Sequence, residues 1–197
     1  MARKFYTSDL HLGMTLLVEK GLREFSSVEK MNSFILKRIN ARCTEDDILI
    51  SLGDFCSFGK DRDSKSLKIP QRDYVSQMNP TVVNIEGNHD PKNRVKSIGS
   101  YLRTTLGRKF TSVSCSHYPS TDPRAYGMFR RGDIHLHGHI HKGEKFIIDY
   151  KHKVLNVNLA CDIWRFCPVS EDELMVEIES FMRRSMPEFW KDRKIIV

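Results

Sequence analysis

Five short polar blocks, spread along the chain in a fixed order, contain the residues whose types and spacing could do chemistry. Each block ends or follows an apolar run typical of a β-strand, and together they supply carboxylate, amide and imidazole groups. The blocks are Asp9-Leu10-His11, Gly53-Asp54, Gly87-Asn88-His89-Asp90, His117 and Gly138-His139-Ile140-His141. These groups are enough to bind two metal ions that share one carboxylate, which indicates metal-assisted hydrolysis of a phosphoester.

The spacing inside the blocks suits metal binding. Asp9 and His11 are two residues apart, so in extended backbone they lie on one side and can reach the same ion. The same spacing recurs in His139 and His141. A glycine precedes the first ligand of three blocks, where it allows a sharp turn and a close approach of the backbone to a ligand.

Charge counting favours an anionic substrate at such a site. Two divalent cations carry four positive charges, and Asp9 and Asp54 contribute two negative charges. Amide and imidazole ligands are neutral. A bridging hydroxide would still leave one positive charge, which attracts a phosphate. Mixed nitrogen and oxygen ligation favours Mn, Fe, Zn, Co or Ni over Ca or Mg, and Mn²⁺ is our first expectation.

The first half of the chain alternates predicted strands and helices. Strands are predicted at 4–8, 47–52 and 81–86, and helices at 28–41, with Ser26 and Glu29 as a capping box, and at 70–78. This alternation is typical of a parallel sheet covered by helices, in which ligands gather at the carboxyl ends of the strands. The first three polar blocks fall at those ends.

The second half has a different pattern. Strands are predicted at 110–116 and 133–137, and a hairpin at 146–149 and 154–158. Ser170 and Glu173 form a capping box before a helix predicted at 171–184. The segment 61–68 is polar and predicted to be a surface loop or frayed helix, and the basic tail after Pro187 has no assigned element. The length of 197 residues and the lack of a repeat or linker predict a single domain over 1–197.

The order of the blocks resembles the calcineurin-like metallophosphoesterase superfamily, whose motifs are D-x-H, G-D, G-N-H-[D/E], H and G-H-x-H. The resemblance covers residues 9–141, and the flanking segments 5–8 and 117–119 resemble its small bacterial and phage-encoded members. It implies a four-layer α/β/β/α sandwich, with two central mixed sheets flanked by helices. That fold agrees with the order of predicted strands and helices.

The resemblance also implies a role for each polar residue. Seven side chains would bind metal in two sets with one shared carboxylate: Asp9, His11 and His141 for one ion, Asn88, His117 and His139 for the other, and Asp54 for both. His89 would be the catalytic residue that contacts the phosphate and assists the leaving group, after attack by a metal-bridging hydroxide. His135 and His137 are assigned no metal because they lie within a predicted strand.

The substrate class is narrowed by departures from the protein-phosphatase pattern. Ser57 stands where those enzymes carry an acidic residue that orients the catalytic histidine, and Glu86 stands where they carry arginine. A small phosphodiester or phosphomonoester, nucleotide-like in character, is therefore favoured as substrate.

Two alternatives to a small-molecule phosphoesterase stay open. The net charge of +7 and pI of about 9.2 permit a nuclease acting on DNA or RNA, although no basic stripe with interleaved aromatics is present. The best candidates for substrate contact are three arginines between the last two blocks, close to Tyr126 and Phe129: Arg124, Arg130 and Arg131. A non-catalytic scaffold with this fold is the second alternative, and the filled ligand positions and His89 argue against it.

Composition predicts a cytoplasmic protein without a membrane partner. The five cysteines are odd in number and lack C-x-x-C spacing, which argues against a disulfide framework or a zinc knuckle. The start of the chain lacks the apolar core of a signal peptide, and no apolar run approaches the length of a membrane span. Asn156, Asn158 and Asp162 follow the last block and are expected to support the site from behind. No feature predicts an oligomeric state.

Overall fold

The protein is a mixed α/β structure built from two sheets. The computed structural model describes residues 2–59, 65–185 and 190. In this part of the chain the strands are β1 (Lys4–Thr7), β2 (Ile48–Ser51), β3 (Thr81–Asn84), β4 (Tyr101–Leu106), β5 (Phe110–Ser116), β6 (Ile134–His137), β7 (Phe146–Asp149), β8 (Val154–Asn158) and β9 (Val169–Ser170). The helices are α1 (Thr15–Glu19), α2 (Val28–Asn40), α3 (Gln71–Val75) and α4 (Glu171–Ser185).

The first sheet has the strand order β3-β2-β1-β9. Its strands β1, β2 and β3 run parallel to one another, as the alternation of strands and helices predicted. The short strand β9 pairs antiparallel with β1 and makes the sheet mixed. The carboxyl ends of the three parallel strands therefore lie along one edge of the sheet.

The second sheet has the order β4-β5-β6-β8-β7. Strands β5, β6 and β8 are parallel to one another, whereas β4 and β7 are antiparallel edge strands. The predicted hairpin of β7 and β8 is confirmed with its predicted bounds. Two mixed sheets with helices confirm the predicted α/β class, and the stacking in four layers, α/β/β/α, stays a prediction.

Strand alternation gives the first sheet two apolar faces. Phe5 and Leu49 pack on one side with the buried face of α2, including Ile35. Tyr6 and Ile50 point the other way, into a core cluster that also contains buried residues of β5, β6 and β8 and of α4. The apolar contacts thus fasten both sheets together close to the strand ends.

The two long helices begin at serine caps, but only one of the predicted capping boxes is right. At α4, Ser170 and Glu173 exchange hydrogen bonds: each backbone N–H donates to the other side chain, at 2.9 and 3.2 Å. At α2 the cap is Ser27, whose hydroxyl accepts from the N–H of Lys30 at 3.3 Å. The predicted box of Ser26 and Glu29 was wrong: the helix begins at Val28 as predicted, but the capping residue is Ser27 and not Ser26.

Several other boundaries differ from the prediction. The helix predicted at 70–78 is shorter, because α3 spans only Gln71–Val75. The strands predicted at 47–52 and 81–86 also end earlier, before the loops that carry the polar residues. Strand β4 was not predicted, because this edge strand carries polar residues such as Arg103 in place of a clear apolar alternation. Residues 61–64 and the tail after Pro187, apart from Trp190, lie outside the described residues.

The cysteines form no disulfide, as predicted. All five thiols are free, and four of them are buried in the apolar cores. Within the described part of the chain, no helix has the length and apolar character that a membrane crossing requires.

The packing of α2 on the first sheet leads to a stability prediction. Ile35 is fully buried, so Ile35→Ala removes apolar contacts and leaves a cavity, and we expect the free energy of unfolding to fall by about 2–5 kcal/mol. Urea denaturation followed by circular dichroism measures the change. Lys37→Ala, on the exposed face of the same helix, is the matched control and should change stability by less than about 0.5 kcal/mol.

Candidate metal centre

The predicted ligand residues converge where strands of both sheets end. Asp9 and Asp54 follow β1 and β2, and His117 directly follows β5. Two groups of side chains have ligand atoms that all lie within 4.8 Å of one another: Asp9 with His11 and His141, and Asp9 with Asp54 and His117. Either group could hold a metal ion.

The first group is built around two imidazole Nε2 atoms. Nε2 of His11 lies 3.2 Å from Nε2 of His141, and the latter lies 3.4 Å from Oδ1 of Asp9. Oδ2 of Asp54 approaches Nε2 of His11 to 3.6 Å. This places two carboxylate oxygens beside two imidazole nitrogens.

Asn88 and His139 join the second group at Nε2 of His117. This atom lies 3.1 Å from Oδ1 of Asn88, 3.2 Å from Nδ1 of His139 and 3.3 Å from Oδ2 of Asp54. Because the same oxygen of Asp54 also faces His11, that carboxylate lies between the two groups. The geometry thus brings together all seven residues that the sequence singled out as ligands.

One oxygen in the centre tests whether the residues fit a cation. Oδ2 of Asp9 accepts a hydrogen bond from the backbone N–H of His139 at 2.9 Å. Oδ1 is buried and accepts no hydrogen bond from the described residues. A buried carboxylate oxygen without a donor is costly, and a cation among these donors would satisfy it.

A hydrogen bond donated by Nδ1 orients the rings of His117 and His141. Nδ1 of His117 lies 2.9 Å from the carbonyl oxygen of Leu52, which can only accept, so this nitrogen carries the proton. Nδ1 of His141 donates in the same way to Oδ2 of Asp162, at 3.0 Å. In the neutral form of each ring, Nε2 therefore presents its lone pair to the centre, as in metal-binding imidazoles.

Arg23 is a supporting residue that sequence reasoning missed. It is buried, and its guanidinium donates to the backbone oxygens of Asp9 and Leu10 at 2.6 and 2.8 Å. It also donates twice to the carboxylate of Asp162, both at 2.8 Å, so Asp162 links Arg23 to His141. Asp162 was expected to support the site, whereas no motif or spacing singles out Arg23.

Asp90 fastens the loop after β2 to the loop after β3. Its buried carboxylate accepts from the backbone N–H groups of Asp54, Phe55 and Gly87 at 2.8 to 3.0 Å, and from the side chain of Asn84 at 3.1 Å. The contacts show that Asp90 positions the loop that carries Asp54.

His89 lies at the mouth of the centre. Its backbone N–H donates to Oδ1 of Asp54 at 2.8 Å, and its Nε2 lies 4.0 Å from Oδ2 of the same residue. The ring meets His11 edge-on, with 5.3 Å between centroids, and its side chain is 24% exposed. It is therefore close to both ligand groups and reachable from solvent.

The ligand residues have unusual backbone conformations. Asp9, His11, Asp54 and His139 have φ values of 57°, 47°, 55° and 68°, in the left-handed region that non-glycine residues rarely adopt. They account for half of the eight such non-glycine residues in the described chain. Strain of this kind concentrates at functional sites, where the surrounding packing enforces it.

Two glycines permit the close approach of the loops. A Cβ atom at Gly87 would overlap the carboxylate and backbone of Asp54, and one at Gly138 would overlap Ser8 and Asp9. Any side chain at either position would separate strand ends that must touch. The absence of a side chain at these two glycines therefore allows the loops to lie in direct contact.

Electrostatics at the centre reflect burial and crowding. Burial alone would lower the pKa of His117, but its contact with Asp54 and the charge of Asp9 raise it to about 9. Burial and the neighbouring cationic groups hold the pKa of His11 well below its ordinary value, although Asp54 opposes this. A proton on Nε2 of His117 occupies the position that a cation would take, so protons and metal compete for this atom.

One of the three arginines named as substrate contacts reaches the centre. Nη2 of Arg124 lies 3.2 Å from Nε2 of His139, and its guanidinium stacks over the ring of Tyr118 at 3.9 Å. Arg130 lies beside Asp133, to which its backbone N–H donates at 2.8 Å, at the opposite end of β6 from the ligands. Arg124 therefore lies at the centre and Arg130 lies away from it, and contact of either with a substrate stays a prediction.

The other side chains near the last block are structural. Asn158 donates to the backbone oxygen of Ile140, between the two histidines of the block, at 2.6 Å, and Asn156 exchanges hydrogen bonds with Ser120. His135 is buried between the hydroxyl of Ser114 and the backbone oxygen of Tyr118, at 2.8 and 2.9 Å. His137 contacts the carbonyl oxygen of Gly138. The rings of His135 and His137 are therefore in contact with hydroxyl and backbone oxygens.

Comparisons with known proteins identify a sequence relative and a solved structure with a similar fold. No family model matches the chain. The uncharacterized protein MJ1445 of Methanocaldococcus jannaschii is 30% identical over 181 residues, which cover 90% of this chain and 92% of the relative. The solved structure of the protein of unknown function AQ665 from Aquifex aeolicus matches with a TM-score of 0.60 and 19% identity, over 90% of this chain and all of that one. The Pseudomonas putida nuclease MPE matches with a TM-score of 0.44 and 21% identity, over 78% and 72%.

These observations define a mixed α/β protein with a cluster of buried carboxylates and imidazoles where its strands end, and the fold is shared with AQ665. More narrowly, the chain belongs to the family of the methanogen protein MJ1445, which it matches over nearly its whole length.

The buried ring of His135 leads to a prediction on pH. Burial lowers its pKa from 6.5 to about 4, so the unfolded chain binds a proton that the folded chain does not, and stability falls as pH drops through this window. The gap from 6.5 to about 4, at 1.36 kcal/mol for each pKa unit, corresponds to about 3 kcal/mol by pH 4.

Urea denaturation between pH 7.5 and 4 of the wild type and His135→Gln measures this contribution. Glutamine can keep both hydrogen bonds but does not titrate, so we expect the variant to lose less stability on acidification. Parallel pH curves for the two proteins would contradict the prediction.

The contact between Asp162 and His141 leads to a prediction on metal binding. Asp162→Asn keeps an acceptor for the ring N–H but removes its charge, so we expect Mn²⁺ to bind about 10-fold more weakly. Isothermal titration calorimetry on chelator-treated protein measures the affinity. Asp149→Asn, in the carboxylate–imidazole pair that Asp149 forms with His152 away from the centre, is the matched control and should bind Mn²⁺ like the wild type.

Proposed function

We propose that the chain is a metal-dependent phosphoesterase that binds two divalent cations, preferentially Mn²⁺. One observation carries this proposal: seven side chains of the metal-binding type lie in two adjacent groups, and a buried oxygen of Asp9 in the first group accepts no hydrogen bond from the described residues. Fe, Zn, Ni and Co suit the same mixture of donors, whereas Ca and Mg prefer oxygen alone.

The proposed division of ligands follows the two groups of contacts. Asp9, His11 and His141 would hold one ion, and Asn88, His117 and His139 the other, with Asp54 as the bridge. The position of Asp54 supports the bridging role, since its Oδ2 lies 3.6 Å from Nε2 of His11 and 3.3 Å from Nε2 of His117. Each of the seven positions has a donor atom directed at its neighbours.

The charge balance supports a phosphoester as substrate. The two carboxylates neutralise only half of the positive charge of two divalent cations. The metal-loaded centre would therefore be cationic and would attract an anion. Arg124 adds a further positive charge at its edge. Divalent cations in such a centre supply Lewis acidity toward phosphoryl oxygens and lower the pKa of bound water.

The chain's own residues would perform orientation and proton transfer. His89, at the mouth of the centre, is placed to contact the phosphoryl group and to donate a proton to the departing oxygen. Arg23 and Asp90 would keep the ligand loops in place, through the backbone of Asp9 and of Asp54 respectively. Small phosphodiesters and phosphomonoesters are the proposed substrates, and the whole chain is proposed to form one domain.

Two substitutions separate metal binding from catalysis. Asp54→Ala removes the shared carboxylate, so we expect loss of metal and of activity together. His89→Ala leaves every proposed ligand in place, so we expect retention of metal and a loss of turnover of roughly 10²- to 10⁴-fold. Metal content is measured by atomic emission, and turnover by release of p-nitrophenol from bis-p-nitrophenyl phosphate. His152→Ala, a histidine outside the centre, is the control for the same change of residue.

The wild-type assay decides between enzyme and scaffold. Protein loaded with Mn²⁺ should hydrolyse bis-p-nitrophenyl phosphate or p-nitrophenyl phosphate. Bound metal without turnover of either ester would favour a non-catalytic scaffold, and full activity of His89→Ala would refute the role given to His89.

A further inference from the structure

The contact between Arg124 and His139 has a chemical peculiarity. An arginine side chain only donates hydrogen bonds, so Nε2 of His139 must accept from Nη2 of Arg124, at 3.2 Å. Nδ1 of the same ring faces Nε2 of His117 at 3.2 Å, among the proposed metal ligands. The contact therefore requires a lone pair on Nε2.

A metal ion on Nδ1 would reverse this requirement. A neutral imidazole has one N–H group and one lone pair, and a metal ion uses the lone pair of the nitrogen it binds. With the metal on Nδ1 of His139, the N–H lies on Nε2, and Nη2 of Arg124 then faces another donor. Two donors this close to each other can be satisfied by one acceptor that lies within hydrogen-bond distance of both.

The guanidinium of Arg124 is held in place by two neighbours, Asp122 and Tyr118. Its Nε and Nη2 donate to the carboxylate of Asp122, at 2.9 and 2.6 Å, and its plane stacks over the ring of Tyr118. Tyr118 in turn meets His117 and His139 edge-on, with centroids 5.0 and 4.9 Å apart. The side chain is still 52% exposed, so an incoming anion can reach it.

We propose that Arg124 and His139 form a two-donor subsite for an unesterified phosphoryl oxygen, and that the subsite forms when metal binds Nδ1 of His139. This inference rests on the proposed function and adds a substrate-binding residue to it. The oxygen accepts from the guanidinium of Arg124 and from Nε2–H of His139. Charge-assisted hydrogen bonds from arginine suit phosphate because the planar donor fork matches its oxygens.

Binding of inorganic phosphate tests the subsite without turnover. Isothermal titration calorimetry with Mn²⁺-loaded protein should show that Arg124→Gln binds phosphate about 10- to 100-fold more weakly than the wild type, the range expected for loss of a charge-assisted hydrogen bond. Arg124→Lys, which keeps the charge and loses the fork, should lie between the two. Arg72→Gln, on the exposed surface of α3, is the matched control and should bind phosphate like the wild type.

Two further measurements separate the subsite from the metal centre. All variants should bind Mn²⁺ with wild-type affinity, since Arg124 is not a ligand. In Zn²⁺-loaded protein, nitrogen-15 NMR of the histidine rings should show the proton of His139 on Nε2. A proton on Nδ1, or equal phosphate binding by Arg124→Gln and the wild type, would overturn the inference while leaving the phosphoesterase intact. Failure of the wild type to bind Mn²⁺ would refute both.

Discussion

Burial of carboxylates is the constraint on which this structure depends. Asp9, Asp54 and Asp90 are almost completely buried at the strand ends, and Asp162 lies just behind them. A charge taken out of water is tolerated only when donors or opposite charge replace the lost hydration. Most of the contacts around the centre follow from this requirement.

Each carboxylate meets the requirement in a different way. Asp90 accepts from backbone groups and one amide, and Asp162 is paired with Arg23 and His141. Asp54 faces imidazoles, which hold its pKa below the ordinary range against the effect of burial. Asp9 is satisfied at Oδ2 and left without a donor at Oδ1 among the described residues, so the proposed cation would supply the partner that Oδ1 lacks.

Much of this arrangement could be predicted because it follows periodic or local patterns. The apolar spacing in α2 and the turn between β7 and β8 define those elements from sequence. Since the carboxyl ends of parallel strands share an edge, the convergence of Asp9, Asp54 and Asn88 also follows from the strand order. The division of ligands into two sets came from the resemblance of the motifs and not from any periodicity.

The parts that escaped prediction act through backbone atoms or over long separations. Arg23 binds two carbonyl oxygens and a carboxylate 139 residues away, and neither contact leaves a pattern in the chain. Asp90 acts on backbone N–H groups 35 and 36 residues away. The left-handed conformations of Asp9 and His139 are imposed by packing, since residue type alone disfavours them.

The two sheets contribute ligands that lie far apart along the chain, and this has a consequence for biosynthesis. Asp9, Asp54 and Asn88 are synthesised well before His117, His139 and His141, so the donor set is incomplete until most of the chain has been made. Because the two sheets supply different side chains, neither half of the chain contains all seven proposed ligands by itself. The candidate centre can therefore assemble only after synthesis has passed His141 and strands of both sheets have formed.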